Sequence, residues 1–497
     1  MTDKNKKQLN EIIKYRLEKL NSFSENSIDP YPYSFKVKNK ICEIINNYNN
    51  HVDEIFIIAG RIVSMRKMGK SSFLNIQDLS GKIQLYLNNN NLENNLYDNL
   101  VRKLDIGDIV GIEGKVFYTK TKELSIKVSS ITLLSKSVRP LPNMKEKDGK
   151  VFFSFDDKEQ RYRKRYLDLI INSENKNIFI NRSIIINEIR NYLNSNSYIE
   201  VETPILQPQY GGANAKPFTT FHNALEQKLY LRIADELYLK RLIVGGFERV
   251  YEISKNFRNE GMDKSHNPEF TMLEFYCAYS DVYDIMDFSE LMIRNIATKI
   301  KFKSDVINFN KKFDRISFFE SIDYYSNTKI SEMSSKELYN YLKTNNIDVD
   351  KTFGYGKLLD KVFSLYVEPK LINPTFILDY PIELSPLAKK KRGSDGSLVE
   401  RFELFINGME IANAFSELNN PIEQKNRLED QVRLKDSGDD ETQPIDLDFI
   451  ESIEVGMPPT GGIGIGIDRL VMILTNQNSI KDVILFPSMR NEFDKTI

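Results

Sequence analysis

Between Arg249 and Tyr276 the chain reads RVYEISKNFRNEGMDKSHNPEFTMLEFY, two strand-like runs around a polar loop that carries Arg258, Glu260 and His266. Alternation along the second run puts Phe270, Met272, Glu274 and Tyr276 on one face. A glutamate and a tyrosine on a buried face are costly unless something cationic satisfies them. An arginine at the rim instead suits a phosphate or a carboxylate. One hairpin thus offers an anion site beside a cation site.

A second set lies in FELFINGMEIANAFSELN, from Phe402. Asn407-Gly408 is a strong signal for a two-residue hairpin turn. Such a turn pairs Ile406 with Met409 and Phe405 with Glu410, leaving Glu403 diagonally across from Glu410 on the same face. Two like charges there repel unless a cation lies between them, and magnesium, bound by one or two carboxylates plus nucleotide phosphates, fits. The plainer alternative is two exposed charges on an outer sheet face. Strict alternation puts Asn413, Phe415 and Glu417 on the face opposite Glu410, so a common site requires a bulge between them. A third set, GGIGIGIDRL from Gly461 to Leu470, combines glycines that permit close backbone approach with Arg469 at the start of a helix. It is not a Walker loop, because the Lys-Ser/Thr ending is absent.

The elements that must position these residues belong to a chain of 497 residues, too long for one core. Hydrophobic residues make up 41% and charged residues 28%, as in an ordinary soluble protein, with no apolar run of membrane-spanning length and a lysine- and asparagine-rich start that lacks the apolar region expected of a signal peptide. Cys42 and Cys277 argue against a disulfide scaffold, and His51, His222 and His266 are too scattered for a local metal motif. The expected compartment is cytoplasmic. Net charge is −1, but residues 1–140 hold 22 Lys+Arg against 15 Asp+Glu, and the remainder 47 against 55. A basic amino-terminal part on an acidic body suits local nucleic-acid contact, although scatter explains it equally well. Residues 1–50 have helical spacing. Residues 51–138 hold five short strands with glycine at the bends, the pattern of a small closed barrel of the oligonucleotide-binding (OB-fold) type. Residues 139–160, beginning RPLP, suggest a hinge. Residues 161–497 mix helices with mostly antiparallel strands, including a helix-rich insertion at about 314–370.

The run FRNEG…HNPEFTMLEFY resembles the second signature motif of class II aminoacyl-tRNA synthetases, in the wording of their lysine-specific (bacterial-type) branch. The helix from Ile178 to Ser195 followed by YIEVETPIL to Pro204 resembles the first motif, and GGIGIGIDRL the third. The resemblance runs from about Tyr15 to the end. It implies an α+β fold, an amino-terminal barrel followed by a catalytic domain built on an antiparallel sheet flanked by helices. It also implies formation of lysyl-adenylate from L-lysine and ATP, transfer to the terminal ribose of tRNA(Lys), Mg2+ as cofactor, and a homodimer built on the first motif.

The same resemblance assigns residues. Arg258 meets the ATP α-phosphate and the amino-acid carboxylate, where a fixed guanidinium would stabilise the charge that develops as they react. Glu260 accepts from the adenine amino group, His266 lies near the outer phosphates, and Phe270 stacks on adenine. Arg469 contacts the γ-phosphate and covers the other adenine face. Glu403 and Glu410 are the implied magnesium ligands. Glu236 and the carbonyl of Gly212 receive the α-ammonium, Tyr276 and Glu417 the ε-ammonium, with Glu274, Asn413 and Phe415 completing the pocket. That pocket set is acidic and contains no lysine or arginine, as a buried ammonium requires. Phe73, Gln84 and Glu123, with Arg66 as a fourth contact, match positions that read a uridine-rich anticodon, although Phe73 alone reads equally as core. Two positions depart from the pattern. Lys216 replaces an arginine, and Asp235 replaces the proline before Glu236, where it is expected to cap a helix. A protein-lysylating relative would lack the barrel, and a non-catalytic tRNA-binding module would lack Arg258, Glu403, Glu410 or Arg469.

Overall fold

The computed structural model describes residues 3–47, 54–92, 95–142, 144–147, 150–153, 155–350, 353–436 and 445–491. The chain separates into two compact units, Met1–Asp157 and Lys158–Ile497.

In the first unit, helix α1 (Asp3–Glu25) is followed by a short helix, Ile41–Asn47. The helical spacing of residues 1–50 does not carry through. Residues 26–40 form no helix, because Pro30 and Pro32 lack the amide that would continue one. Strands β1 (Ile55–Met68), β2 (Ser71–Gln77), β3 (Lys82–Asn88), β4 (Ile109–Tyr118) and β5 (Leu124–Ser135) close into a barrel in the order β1-β2-β3-β5-β4. Closure follows from the alternation. Ile58, Ile62, Leu74, Ile76, Leu85, Ile112 and Val128 all point inward and share one core. Buried Arg16 ties α1 to the barrel by donating to the carbonyls of Ser137 (2.7 Å) and Ile106 (3.1 Å). Part of the expected hinge, 139–160, lies outside the described residues. Its described part is a hairpin, Met144–Lys147 with Lys150–Phe153, and a helix starting at Lys158.

The second unit is built on eight strands: β6 (Ile199–Glu200), β7 (Arg249–Phe257), β8 (Glu269–Ala278), β9 (Asp314–Ser317), β10 (Thr375–Leu378), β11 (Arg401–Ile406), β12 (Met409–Ser416) and β13 (Thr460–Gly466). Their spatial order is β9-β10-β11-β12-β13-β8-β7-β6. The centre is antiparallel, but each edge pair, β9/β10 and β7/β6, is parallel. The parallel edges arise because long connections rather than tight turns join those strands. The helix-rich stretch from 314 is therefore a crossover. It leaves the sheet at β9, forms helices Phe318–Ser326, Ser335–Thr344 and Tyr355–Tyr366, and returns as β10.

Helices α2 (Lys176–Ser195), α3 (Glu236–Val244), α4 (Val282–Lys299) and α5 (Ile467–Leu474) flank the sheet. Ile185 and Ile189 of α2, Met286 and Ile293 of α4, and Leu470 of α5 pack on Leu273, Phe275, Leu404 and Ile463 from one sheet face. That leaves the alternate residues of the same central strands for the cleft on the other face. Asp468 locks the arrangement. It accepts from the Thr271 amide (2.6 Å) and pairs with Arg182 of α2 (2.6 Å), so the three sequence motifs meet at one buried carboxylate.

Candidate active site

A cleft of about 340 Å³, within the range of small-molecule sites, opens over β8, β12 and β13. Phe270, Met272, Glu274 and Tyr276 of β8 all line it, as alternation predicts. The hairpin between β11 and β12 turns at Asn407 (φ 54°) and Gly408 (φ 68°), both left-handed as a type I′ turn requires. Ile406 pairs with Met409 and Phe405 with Glu410. The next pairs are Leu404 with Ala412 and Glu403 with Asn413, so Ile411 is an extra residue. This is the bulge that a common site requires. It brings Glu410, Asn413, Phe415 and Glu417 to one wall of the cleft.

At the outer end, the Arg258 guanidinium lies 5.1 Å from the centre of the Phe270 ring. Its Nε is buried with no hydrogen-bond partner among the described residues. Burial lowers its pKa, while Glu410 and Glu260 oppose the shift. Arg469 donates to the Glu410 carbonyl (2.8 Å) and approaches its carboxylate (3.3 Å). A second Arg469 nitrogen lies 2.9 Å from His266 Nε2, while His266 Nδ1 faces Asp263 at 2.9 Å. Glu260 is exposed, with a long 3.4 Å contact from the Lys216 amide.

Glu403 sits deeper. It accepts from the Tyr380 hydroxyl (2.7 Å) and pairs with Arg401. Burial first, then repulsion from Glu410, pushes its carboxyl up to about 7 while Arg401 opposes. Arg401 also donates to Asn413 Oδ1 (2.9 Å), and the sequence reading missed it because no motif surrounds it. Glu403 and Glu410 supply hard oxygen donors of the kind magnesium takes with nucleotide phosphates. Among the described residues no cluster of three or more His, Cys, Asp or Glu side chains forms a fuller metal cage.

The inner end is acidic. Glu236, Glu274 and Glu417 are 7%, 5% and 1% exposed. Glu274 accepts from the Tyr276 hydroxyl (3.0 Å) and the Asp235 amide (3.2 Å). Burial, then Asp235 and Glu236, hold its carboxyl well above the usual carboxylate range. Gly212 (φ +83°) passes so close that a Cβ there would lie 3.1 Å from Glu236 Cβ. At Gly462 any side chain would collide with Glu417 and Tyr276. A lysine stands behind this acidic wall, outside the cleft lining. Lys240, one turn beyond Glu236 on α3, pairs with both Glu236 and Glu417. Its i+4 spacing from Glu236 was the readable signal. Asp235 is not the expected cap. It precedes α3, but its side chain makes no capping bond and turns instead to Arg232 (3.2 Å) and Ser254. Buried charge pairing outweighs the cap.

On the barrel, Arg66 pairs across strands with Phe73, and Phe73 with Tyr86. Gln84, two residues from Tyr86, accepts from Ser125 (2.8 Å), next but one to Glu123. The four expected residues therefore gather on one face. Alternation in β3 also puts Tyr86 there, and the chain of rings Phe73–Tyr86 (5.1 Å) and Tyr86–Phe117 (5.9 Å) extends the platform.

Residues 157–490 match the family described as tRNA synthetases class II (D, K and N), and residues 56–134 match the OB-fold nucleic acid binding domain. A lysine–tRNA ligase from Porphyromonas gingivalis is 48% identical over 500 residues, 98% of this chain and 86% of the relative. That from Carboxydothermus hydrogenoformans is 49% identical over 490 residues, covering 97% of this chain and 99% of the relative. That from Azobacteroides pseudotrichonymphae is 49% identical over 491 residues, covering 96% and 98%. With a pocket of buried carboxylates below a rim of arginines, and an aromatic face on a closed barrel, the chain belongs to the lysine–tRNA ligase family of class II tRNA synthetases.

Proposed function

We propose that this enzyme activates L-lysine with ATP and transfers it to the 3′-terminal ribose of tRNA(Lys). The observation that carries the reading is the single cleft itself. Three buried carboxylates, Glu236, Glu274 and Glu417, lie at one end, and Arg258, with an unpartnered buried Nε, lies at the other. The lysine carboxylate attacks the α-phosphorus, the bond to the β-phosphate oxygen breaks, and pyrophosphate leaves. A tRNA ribose hydroxyl then attacks the lysyl carbonyl and AMP departs. Arg258 bridges the reacting carboxylate and α-phosphate and stabilises the charge that develops between them. Phe270 and Arg469 sandwich the adenine, Glu260 accepts from its amino group, and His266 and Arg469 meet the outer phosphates. Glu236 and the Gly212 carbonyl receive the α-ammonium. Tyr276 and Glu417 receive the ε-ammonium, while Glu274, Asn413 and Phe415 shape the pocket.

Glu403 and Glu410 would hold Mg2+, which when bound supplies positive charge against the ATP phosphates. Raising the magnesium demand by Glu410→Ala, read from a magnesium titration of ATP binding, tests that assignment. In this reading residues 51–138 bind the anticodon through Arg66, Phe73, Gln84 and Glu123, 139–160 act as the hinge, and 161–497 carry both reactions. A homodimer is supported by Ile180 and Ile184 of α2 and Ile199 of β6, apolar residues left exposed beside a two-residue edge strand. A cytoplasmic setting is supported by two free cysteines. No helix among the described residues is long and apolar enough to cross a membrane.

The decisive experiment is amino-acid-dependent pyrophosphate exchange with each of the twenty amino acids, followed by charging of tRNA(Lys). Exchange with lysine alone, followed by charging, is expected. Exchange driven by another amino acid, or exchange without charging, overturns the reading.

A further inference from the structure

Lys240 has no part in the chemistry above, yet it is buried directly behind two glutamates that line the pocket. It is 1% exposed, and its ammonium lies 5.2 Å from the centre of the Phe415 ring and 5.9 Å from that of Phe449. It touches one oxygen of each of two glutamates, Oε1 of Glu236 and Oε2 of Glu417. The other oxygen of Glu417, Oε1, is buried beside Gly462 and has no hydrogen-bond partner among the described residues. Glu236 Oε2 faces Gly212, 3.8 Å from where a Cβ would stand. The nearby guanidinium groups are committed elsewhere, Arg401 to Glu403 and Arg232 to Asp235 and Glu252.

Stability does not account for such a residue. Buried ion pairs are often replaced by apolar side chains at no loss, or with a gain. The geometry does account for it. Lys240 takes one oxygen from each of Glu236 and Glu417 and leaves the other oxygen of each. Two is the number of ammonium groups on a diamino acid.

We propose that Lys240 is a positioning residue for substrate selection, a built-in counter-ion that opposes the protonation of Glu236 and Glu417 and turns their free oxygens toward the two ammonium groups of the incoming amino acid. The proposal rests on the lysine-activation reading above. Without Lys240, burial acts on both glutamates unopposed and favours their protonated form further, and a protonated carboxyl offers an ammonium far less.

The test is Lys240→Met, which keeps the length and removes the charge, measured by lysine-dependent pyrophosphate exchange from pH 7 to pH 9. Lysine KM is expected to rise about a hundredfold over the unsubstituted enzyme at pH 7, with kcat and the ATP KM little changed. The ratio of the two lysine KM values should then shrink toward pH 9, by up to about tenfold overall, as the glutamates of the variant ionise after those of the unsubstituted enzyme. An unchanged KM, or a rise that stays constant with pH, overturns the proposal while the lysine reading stands. No lysine-dependent exchange in the unsubstituted enzyme sinks both. Should Lys240→Met fail to fold, Lys240→Ala supplied with n-propylammonium replaces the missing ammonium. Recovery of lysine-dependent exchange supports the role, and its absence overturns it.

Discussion

In the cleft, Glu236, Glu274 and Glu417 are almost inaccessible and lie within a net of hydrogen bonds and ion pairs. On the barrel, Arg66 and Glu123 are exposed, and Phe73 and Gln84 only half-covered. The cleft draws its residues from strands and helices spread over more than 250 positions, the barrel face mainly from neighbouring strands. Buried charge must be matched group by group, because an unpaired ion away from water is expensive. A shallow aromatic face carries no such penalty and tolerates change. The first arrangement suits choosing one small molecule, the second suits holding flexible bases that bring their own shape.

That contrast can be attacked from both sides. Arg258→Ala should be the most damaging change, lowering the rate of pyrophosphate exchange by about 10³-fold in a folded protein. Near-normal exchange would remove the cleft's rim from the chemistry. Glu417→Gln should raise lysine KM by roughly a hundredfold, since truncating one partner of a buried charge pair costs on the order of 2–5 kcal/mol. An unaltered KM would move Glu417 out of the pocket. Phe73→Ala removes one stacking ring, worth about 1–3 kcal/mol per base, so tRNA charging should fall about ten- to thirtyfold. Pyrophosphate exchange should hold, because none of the cleft residues belongs to the barrel unit. A joint fall in both activities would make Phe73 structural and erase the contrast.

The smallest effect concerns pH. Burial first, with Glu236 adding to it and Lys240 opposing, pushes the Glu417 carboxyl up to about 8. Tyr276 also faces this group, and its own pKa is held well above the usual phenol value. In the proposed role the ionised form of Glu417 receives an ammonium, and that form grows as pH rises toward that value. Lysine KM should therefore fall about fivefold between pH 7 and 8. The affinity of the enzyme for tRNA, measured at constant salt, should show no matching transition, since Glu417 lies outside the barrel. A flat lysine profile would mean that Glu417 is already fully ionised in the empty pocket.

Much of this architecture was readable in the chain. Five short strands with glycines at the bends announce the barrel, and Asn407-Gly408 announces its hairpin because only left-handed φ values close so tight a turn. The β8 alternation gave Phe270, Met272, Glu274 and Tyr276 directly. What escaped depended on partners remote in sequence. Lys240 reads as one more polar position on an amphipathic helix until Glu417, 177 positions later, arrives beside it. Arg401 sits in an ordinary strand, and its meaning appears only when Glu403 and Asn413 turn to the same face. Asp235 fits a capping rule, but the rule ignores Arg232 and Ser254. Parallel strand pairs at both sheet edges carry no local signal at all.

Ile411 gives the cleft a phase relation. A strand is a signal of period two, and one extra residue advances everything after it by half a period. Glu410 lies before that step, while Asn413, Phe415 and Glu417 lie after it, so the two stretches share one wall of the cleft only because of it. A chimera that joins one enzyme's hairpin to another's pocket must carry the step across the junction. Losing that single position would leave the sheet paired and the rest of the chain unchanged, with half of the site facing the hydrophobic core.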